Sequence, residues 1–261
     1  TIESSKVPTV SADATSNVEV NKNAQYFFST WYDNRVGIRE ILKYAQSKNL
    51  KRISIIRPVN GSFWKFTADL LTAYAPEYGI TIISDEDLGD PLIMEFRTVI
   101  AKTKVQKPDA VFMIETDPAQ CVFAKQAREL GLTVPILATE AAGNYDSLSK
   151  CADLLTTTYF STPKHTDSYA RFEKLYTEKN GRAPQYPSSV TAYDAVHVIA
   201  HALEKTGGEG GEKLRIEIAK TKDLPGASLP MISFDVRGYL ATPTDAFEMQ
   251  TVRDGKFVKA E

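Results

Sequence analysis

At 261 residues the chain can bury a large core, as one large domain or two smaller ones. Hydrophobic residues make up 43% and charged residues 25%, which excludes a disordered or low-complexity chain. Lys plus Arg is 31 against 33 for Asp plus Glu, so the net charge of -2 gives no electrostatic case for nucleic acid or an anionic membrane surface.

No apolar run approaches the ~20 residues a membrane helix needs. The start, TIESSKVPTV, lacks the basic-then-apolar layout of a signal peptide, so the chain is expected to be cytoplasmic or trimmed. The first strand is expected at Val7 to Val10, followed by a polar loop of Ser, Asp and Thr, the kind of junction where α/β folds place ligands. NRVGIREILKYAQSKNL carries Val36, Ile38, Ile41, Leu42 and Ala45 at helical spacing, with Asp33 or Asn34 as N-cap. The β-branched run Ile53 to Ile56, ended by Pro58, reads as a buried strand.

The alternation then repeats. Helices are expected at about 62–78, 92–104 and 118–130, with strands at GITIIS, DAVFMIE and VPILAT, the mark of a parallel sheet covered on both faces. A further strand, LLTTTYF, precedes two long helices, TDSYARFEKLYTEKNG and PSSVTAYDAVHVIAHALEKTGG. The tail FEMQTVRDGKFV reads as a hairpin turning at Asp254 and Gly255. Leaving a parallel sheet for helices and returning to strands points to two lobes joined by several crossings, with a cleft favoured for ligands. Cys121 and Cys151 form no CxxC motif and no disulfide framework, so each reads as a small core or surface residue and their pairing stays open.

The segments VPTVSADATS, KRISIIRPVNGSFWKFTADLL, KPDAVFMIETDPAQCVFAKQARELGL, VPILATEAAGNYDSL and VTAYDAVHVIAHAL, in this order, resemble the type I periplasmic solute-binding proteins, specifically the branched-chain amino-acid branch serving ABC transporters. The resemblance implies an α/β fold of two Rossmann-like lobes with parallel sheets, joined by three crossovers and closing on a ligand. By that resemblance lobe one holds residues 1–48 and 164–234 and lobe two 49–163 and 235–261, with hinges around 26–34, 162–166 and 230–236. Family members begin with strands ahead of VPTVS, so lobe one is expected to lack its N-terminal part.

The same resemblance supplies the site. The carbonyl at Asp13, with Ala14, faces a ligand ammonium, and Thr15 serves the head group; taken alone, the loop would be ordinary, with Asp13 or Thr15 capping a helix. Glu140 sits where amino-acid binders pair an acid with the ammonium, although a carboxylate there also suits the start of a helix. Thr116 falls at a position often aromatic in relatives, and NGSFW replaces the usual Tyr-Gly pattern. Ser62, Phe63 and Trp64 either line the pocket or pack a helix. Ser188 is another pocket position or a helix N-cap.

Enzyme signals are weaker. His197 and His201 stand at i and i+4 without a Glu between them or a third ligand, so surface histidines are expected and no metal. TGGEGGE lacks the Lys-Ser/Thr of a phosphate cradle, and no GxSxG occurs. The resulting expectation is a non-enzymatic, cofactor-free receptor, periplasmic or extracellular and possibly lipid-anchored, that delivers a small aliphatic or branched-chain amino acid to a membrane ABC permease. Runner-up readings are a binder of aromatic or other small carboxylates and a ligand-sensing regulatory module of the same fold.

Overall fold

The computed structural model describes residues 2–14, 24–89, 92, 94–114, 118–185 and 187–261. They form two compact units, Thr1–Asp33 with Lys164–Pro243 and Asn34–Pro163 with Thr244–Glu261. The elements run α1 (Ile2–Ser5), β1 (Thr9–Ser11), β2 (Phe27–Ser29), α2 (Asn34–Ser47), β3 (Arg52–Arg57), α3 (Ser62–Tyr74), β4 (Thr81–Asp87), α4 (Arg97–Val105), β5 (Ala110–Met113), α5 (Ala119–Glu129), β6 (Ile136–Ala138) and α6 (Tyr145–Cys151). Then follow β7 (Thr158–Pro163), α7 (Asp167–Asn180), α8 (Ser188–Thr206), α9 (Gly211–Ala219), β8 (Leu224–Pro225), β9 (Met231–Ile232), β10 (Phe247–Arg253) and β11 (Lys256–Lys259).

The second unit is built on a seven-stranded sheet ordered β11-β10-β7-β6-β5-β3-β4. From β4 to β7 the pairs are parallel, and the hairpin of β10 and β11 adds an antiparallel edge. Parallel strands covered on both faces must be apolar throughout, which is why Ile53 to Ile56 and Ala110 to Met113 read as unbroken runs. On one face Ile38, Ile41, Leu42 and Leu71 pack with Ile53, Ile55, Phe112 and Leu137. On the other, Phe96, Ile100 and Phe123 pack with Ile56, Val111, Met113 and Ile136.

These contacts place α2 in the second unit, whereas the sequence reading assigned residues up to 48 to the first. Its apolar stripe of Ile38, Ile41, Leu42 and Ala45 finds its partners on that sheet. The last crossing likewise falls at 243/244 instead of within 230–236, because β9 pairs with β8 inside the first unit. Helix α4 begins at Arg97, later than the periodicity predicts: Met94 takes φ 55, and the Gln126 amide accepts from the Phe96 N–H at 2.7 Å and donates to the Met94 carbonyl at 3.0 Å. Cys121 and Cys151, whose pairing the sequence leaves open, are bonded to each other with Cα atoms 5.9 Å apart.

In the first unit β1 and β2 pair in parallel, and among the described residues they form a two-stranded sheet. Helix α8 lies against them and stops at Gly207, whose φ of 64 lets the helix end in the left-handed conformation. Asp194 on α8 is fully buried and accepts from the backbone N–H groups of Ala227 at 2.8 Å and Ser228 at 2.7 Å. Tyr32 donates to the Ser228 carbonyl at 3.0 Å, so helix, loop and the segment after β2 are locked together.

On the surface of this unit Glu212 receives three hydrogen bonds from Arg215, two of them from Nε shared between its oxygens, and one from the Tyr26 hydroxyl. Arg215 first, and Tyr26 second, hold its carboxyl down at about 2 against a usual 4.5. A depressed carboxylate stabilises the fold above its unfolded-state value and loses that contribution as pH falls toward the folded one, here between 4.5 and about 2. An NMR titration of the Glu212 carboxyl is expected to show its midpoint near 2, and Arg215→Ala to return it toward the usual range. A midpoint unmoved by the substitution would contradict the pairing.

Candidate ligand-binding site

In the first unit the loop leaving β1 carries Asp13 and Ala14. The Asp13 N–H donates to Ser11 Oγ at 3.3 Å, and the Ala14 carbonyl accepts from Ser29 Oγ at 3.2 Å. Asp13 is exposed by surface area, yet desolvation by its neighbours pushes its carboxyl above the usual value. Thr30 ties this loop to α8: its N–H donates to the Ser11 carbonyl at 2.9 Å and its hydroxyl to the Thr191 carbonyl at 2.9 Å. Thr191 in turn donates from Oγ1 to the Ser188 carbonyl at 3.1 Å. The structure therefore brings Asp13, Ala14 and Ser188 to one end of the first unit. Ser188 is half-buried and is the first helical residue of α8; Pro187 holds the cap position without a side-chain bond, so the N-cap reading of Ser188 does not hold.

In the second unit Glu140 lies directly after β6, at the carboxyl edge of the parallel sheet, where open α/β sheets bind ligands. Its side chain is 9% exposed. A short 3₁₀ turn, Glu140–Ala142, is closed by bonds from the Ala142 N–H to the Thr139 carbonyl at 3.0 Å and from the Gly143 N–H to the Glu140 carbonyl at 2.9 Å. A Cβ at Gly143 would meet the Phe160 ring at 2.6 Å, so the turn rests on that ring only because residue 143 is glycine. Ser62 opens α3 and is exposed, while Phe63 and Trp64 pack against the sheet's core, which favours the helix-packing alternative for both rings. Thr15 and Thr116 lie outside the described residues.

The sequence model of the family described as periplasmic binding protein matches residues 1–256. The chain belongs to that family. No curated protein matches the sequence. Among solved structures, this periplasmic binding protein resembles a leucine binding protein, LivK, from Thermotoga maritima, with a TM-score of 0.87 and 23% identity over 100% of this chain and 74% of that one. It also resembles LivJ from Streptococcus pneumoniae, a branched-chain amino acid transporter substrate binding protein solved with isoleucine, with a TM-score of 0.83 and 23% identity over 100% and 73% of the two chains. A third match is a solute binding protein from R. palustris in complex with benzoate, with a TM-score of 0.84 and 14% identity over 99% and 71%. At these identities the likeness establishes the fold, which is that of a type I periplasmic binding protein.

Among the described residues no group of three or more His, Cys, Asp and Glu is placed to hold a metal, and no helix is long and apolar enough to cross a membrane. His197 stacks near the Tyr193 ring at 6.1 Å. Two residues that tie down the candidate segments, one in each unit, give no sign of it in the sequence. Thr30, which joins the β1 loop to α8, sits in FFSTWYD, where a threonine gives no signal of a long-range bond. Gln120, on the buried face of α5, reaches the turn that follows Glu140.

Proposed function

We propose that this periplasmic binding protein is an extracytoplasmic receptor that captures a small aliphatic or branched-chain amino acid and hands it unchanged to a membrane ABC permease. The observation that carries the reading is the buried Glu140 carboxylate at the carboxyl edge of the second unit's sheet. An amino acid brings a cation and an anion, and each loses hydration when bound, so each needs a partner of its own. Within the second unit Glu140 takes the ammonium. Within the first unit the family pattern assigns the Asp13–Ala14 carbonyls and Ser188 to ligand binding, and the Ser188 hydroxyl stands at the start of α8, where partial positive charge gathers. Thr15, Ser62, Phe63 and Thr116 join the proposal by the family pattern alone.

A thermal-shift screen over leucine, isoleucine, valine and benzoate tests this. A ligand held by the folded state at 100 times its Kd stabilises it by about 2.7 kcal/mol, so a true ligand raises Tm clearly. The aliphatic amino acids are expected to do so and to be recovered chemically intact. A rise with benzoate alone would replace the amino-acid reading with that of a carboxylate binder. Conversion of any of them would make the protein an enzyme.

A further inference from the structure

The turn that carries Glu140 is fastened to α5 in a way that the family resemblance does not call for. Gln120 is 6% exposed, and its side-chain amide nitrogen has two protons to donate. One goes to Ser147 Oγ at 2.8 Å and the other to the Ala142 carbonyl at 3.3 Å. Ser147 is fully buried, and its N–H donates to Asn144 Oδ1 at 3.1 Å. The next residue along α5, Cys121, is bonded to Cys151 at the far end of α6. Among the contacts that hold residues 139–151 are β6 at the start, Gln120 in the middle and the disulfide at the end.

We propose that Gln120 is a positioning residue that sets the Glu140 carboxylate for its cationic partner, with the Cys121–Cys151 bond holding the same segment from its other end. The inference rests on the amino-acid reading above. A buried amide with both protons committed to one short segment has a single low-energy arrangement, because an unpaired donor there would carry a desolvation cost. The turn it grips contains the Ala142 carbonyl, two residues from Glu140. Loss of the grip frees the turn to shift, and the effect falls on the ammonium end of the ligand.

The test compares L-leucine with 4-methylpentanoate, which keeps the carboxylate and side chain and lacks the amine. In Gln120→Met, of similar volume and without donors, hydrogen exchange across residues 139–151 should speed up in the ligand-free protein. The preference for leucine over 4-methylpentanoate should fall by about tenfold, a coupling of the size seen within one bonded network. Affinity for 4-methylpentanoate should stay as in the wild type, and the effect on leucine should vanish in a Glu140→Gln background. Should Gln120→Met fail to fold, the Cys121→Ser, Cys151→Ser double variant releases the same segment and is expected to show the same loss of preference. Unchanged exchange, or equal weakening of both ligands, overturns the positioning role. Faster exchange in a protein whose wild type takes no leucine would instead sink the amino-acid reading, and the role toward an ammonium with it.

Discussion

Glu140→Ala is expected to weaken binding of an aliphatic amino acid by about 2–5 kcal/mol, because the ligand ammonium is left desolvated without its anionic partner. Folding stability is expected to change less than affinity, since the three-residue 3₁₀ turn that Glu140 opens is closed by backbone bonds. If the carboxylate served only to start that turn, the substitution would cost about 0.5–1 kcal/mol of stability and leave affinity intact. Titration calorimetry and a thermal melt on this one variant separate the two roles. They report on different states of the protein, so neither result can stand in for the other.

The second large effect concerns the fold. Phe112→Ala should destabilise the second unit by about 3–5 kcal/mol, the range for deleting a buried aromatic ring whose neighbours cannot collapse into the space. Phe112 is fully buried on β5, and β5 is paired on both sides, with β3 and with β6. The ring lies among Ile53, Ile55, Ile41, Leu42 and Leu137, contributed by two neighbouring strands and one helix. Those backbones are fixed by the ladder, so the cavity persists. Urea unfolding followed by circular dichroism should show a lower midpoint with an unchanged slope. A loss under about 1 kcal/mol would mean that the core repacks around the site and is loosely packed.

The central sheet was legible because burial on both faces leaves β3 and β5 no choice but apolar residues, and this pattern survives without any tertiary information. The hairpin at Asp254 and Gly255 was legible for a local reason: Gly255 has φ 71 and Asp254 φ 50, the left-handed geometry that this pair tolerates. Where long-range contacts decide, the sequence reading went astray. The start of α4 is fixed by Gln126, some thirty positions along the chain, and α2 was credited to the wrong unit because its stripe says that it is buried but not against what. The short helix α6 and helix α9 behind its glycines offered too few turns to stand out.

The site divides in the same way. Glu140 stood out as a charge ending an apolar run, and the structure buries it at the carboxyl edge of the sheet, while its role toward a ligand is a proposal. Ser188 stood out as a residue at the start of a helix, though not its place inside α8 instead of at the cap. Phe63 and Trp64 could not be assigned, because an aromatic residue at a helix start serves a pocket or a core equally well until its neighbours are known. The Cys121–Cys151 bond spans 30 residues with no motif at either end, so only the proximity of α5 and α6 reveals it. Gln120 looked like one more polar residue on a helix. Its meaning lies in Ser147 and Ala142, which sequence spacing cannot bring near it.

The most direct measurement is a calorimetric titration of the wild-type protein with L-leucine, followed by recovery and chemical identification of what was bound. Saturable one-to-one binding, with leucine returned unchanged, is the predicted result. No heat and no retention for leucine, isoleucine or valine under conditions where the protein is folded, or the recovery of a converted product, would contradict it.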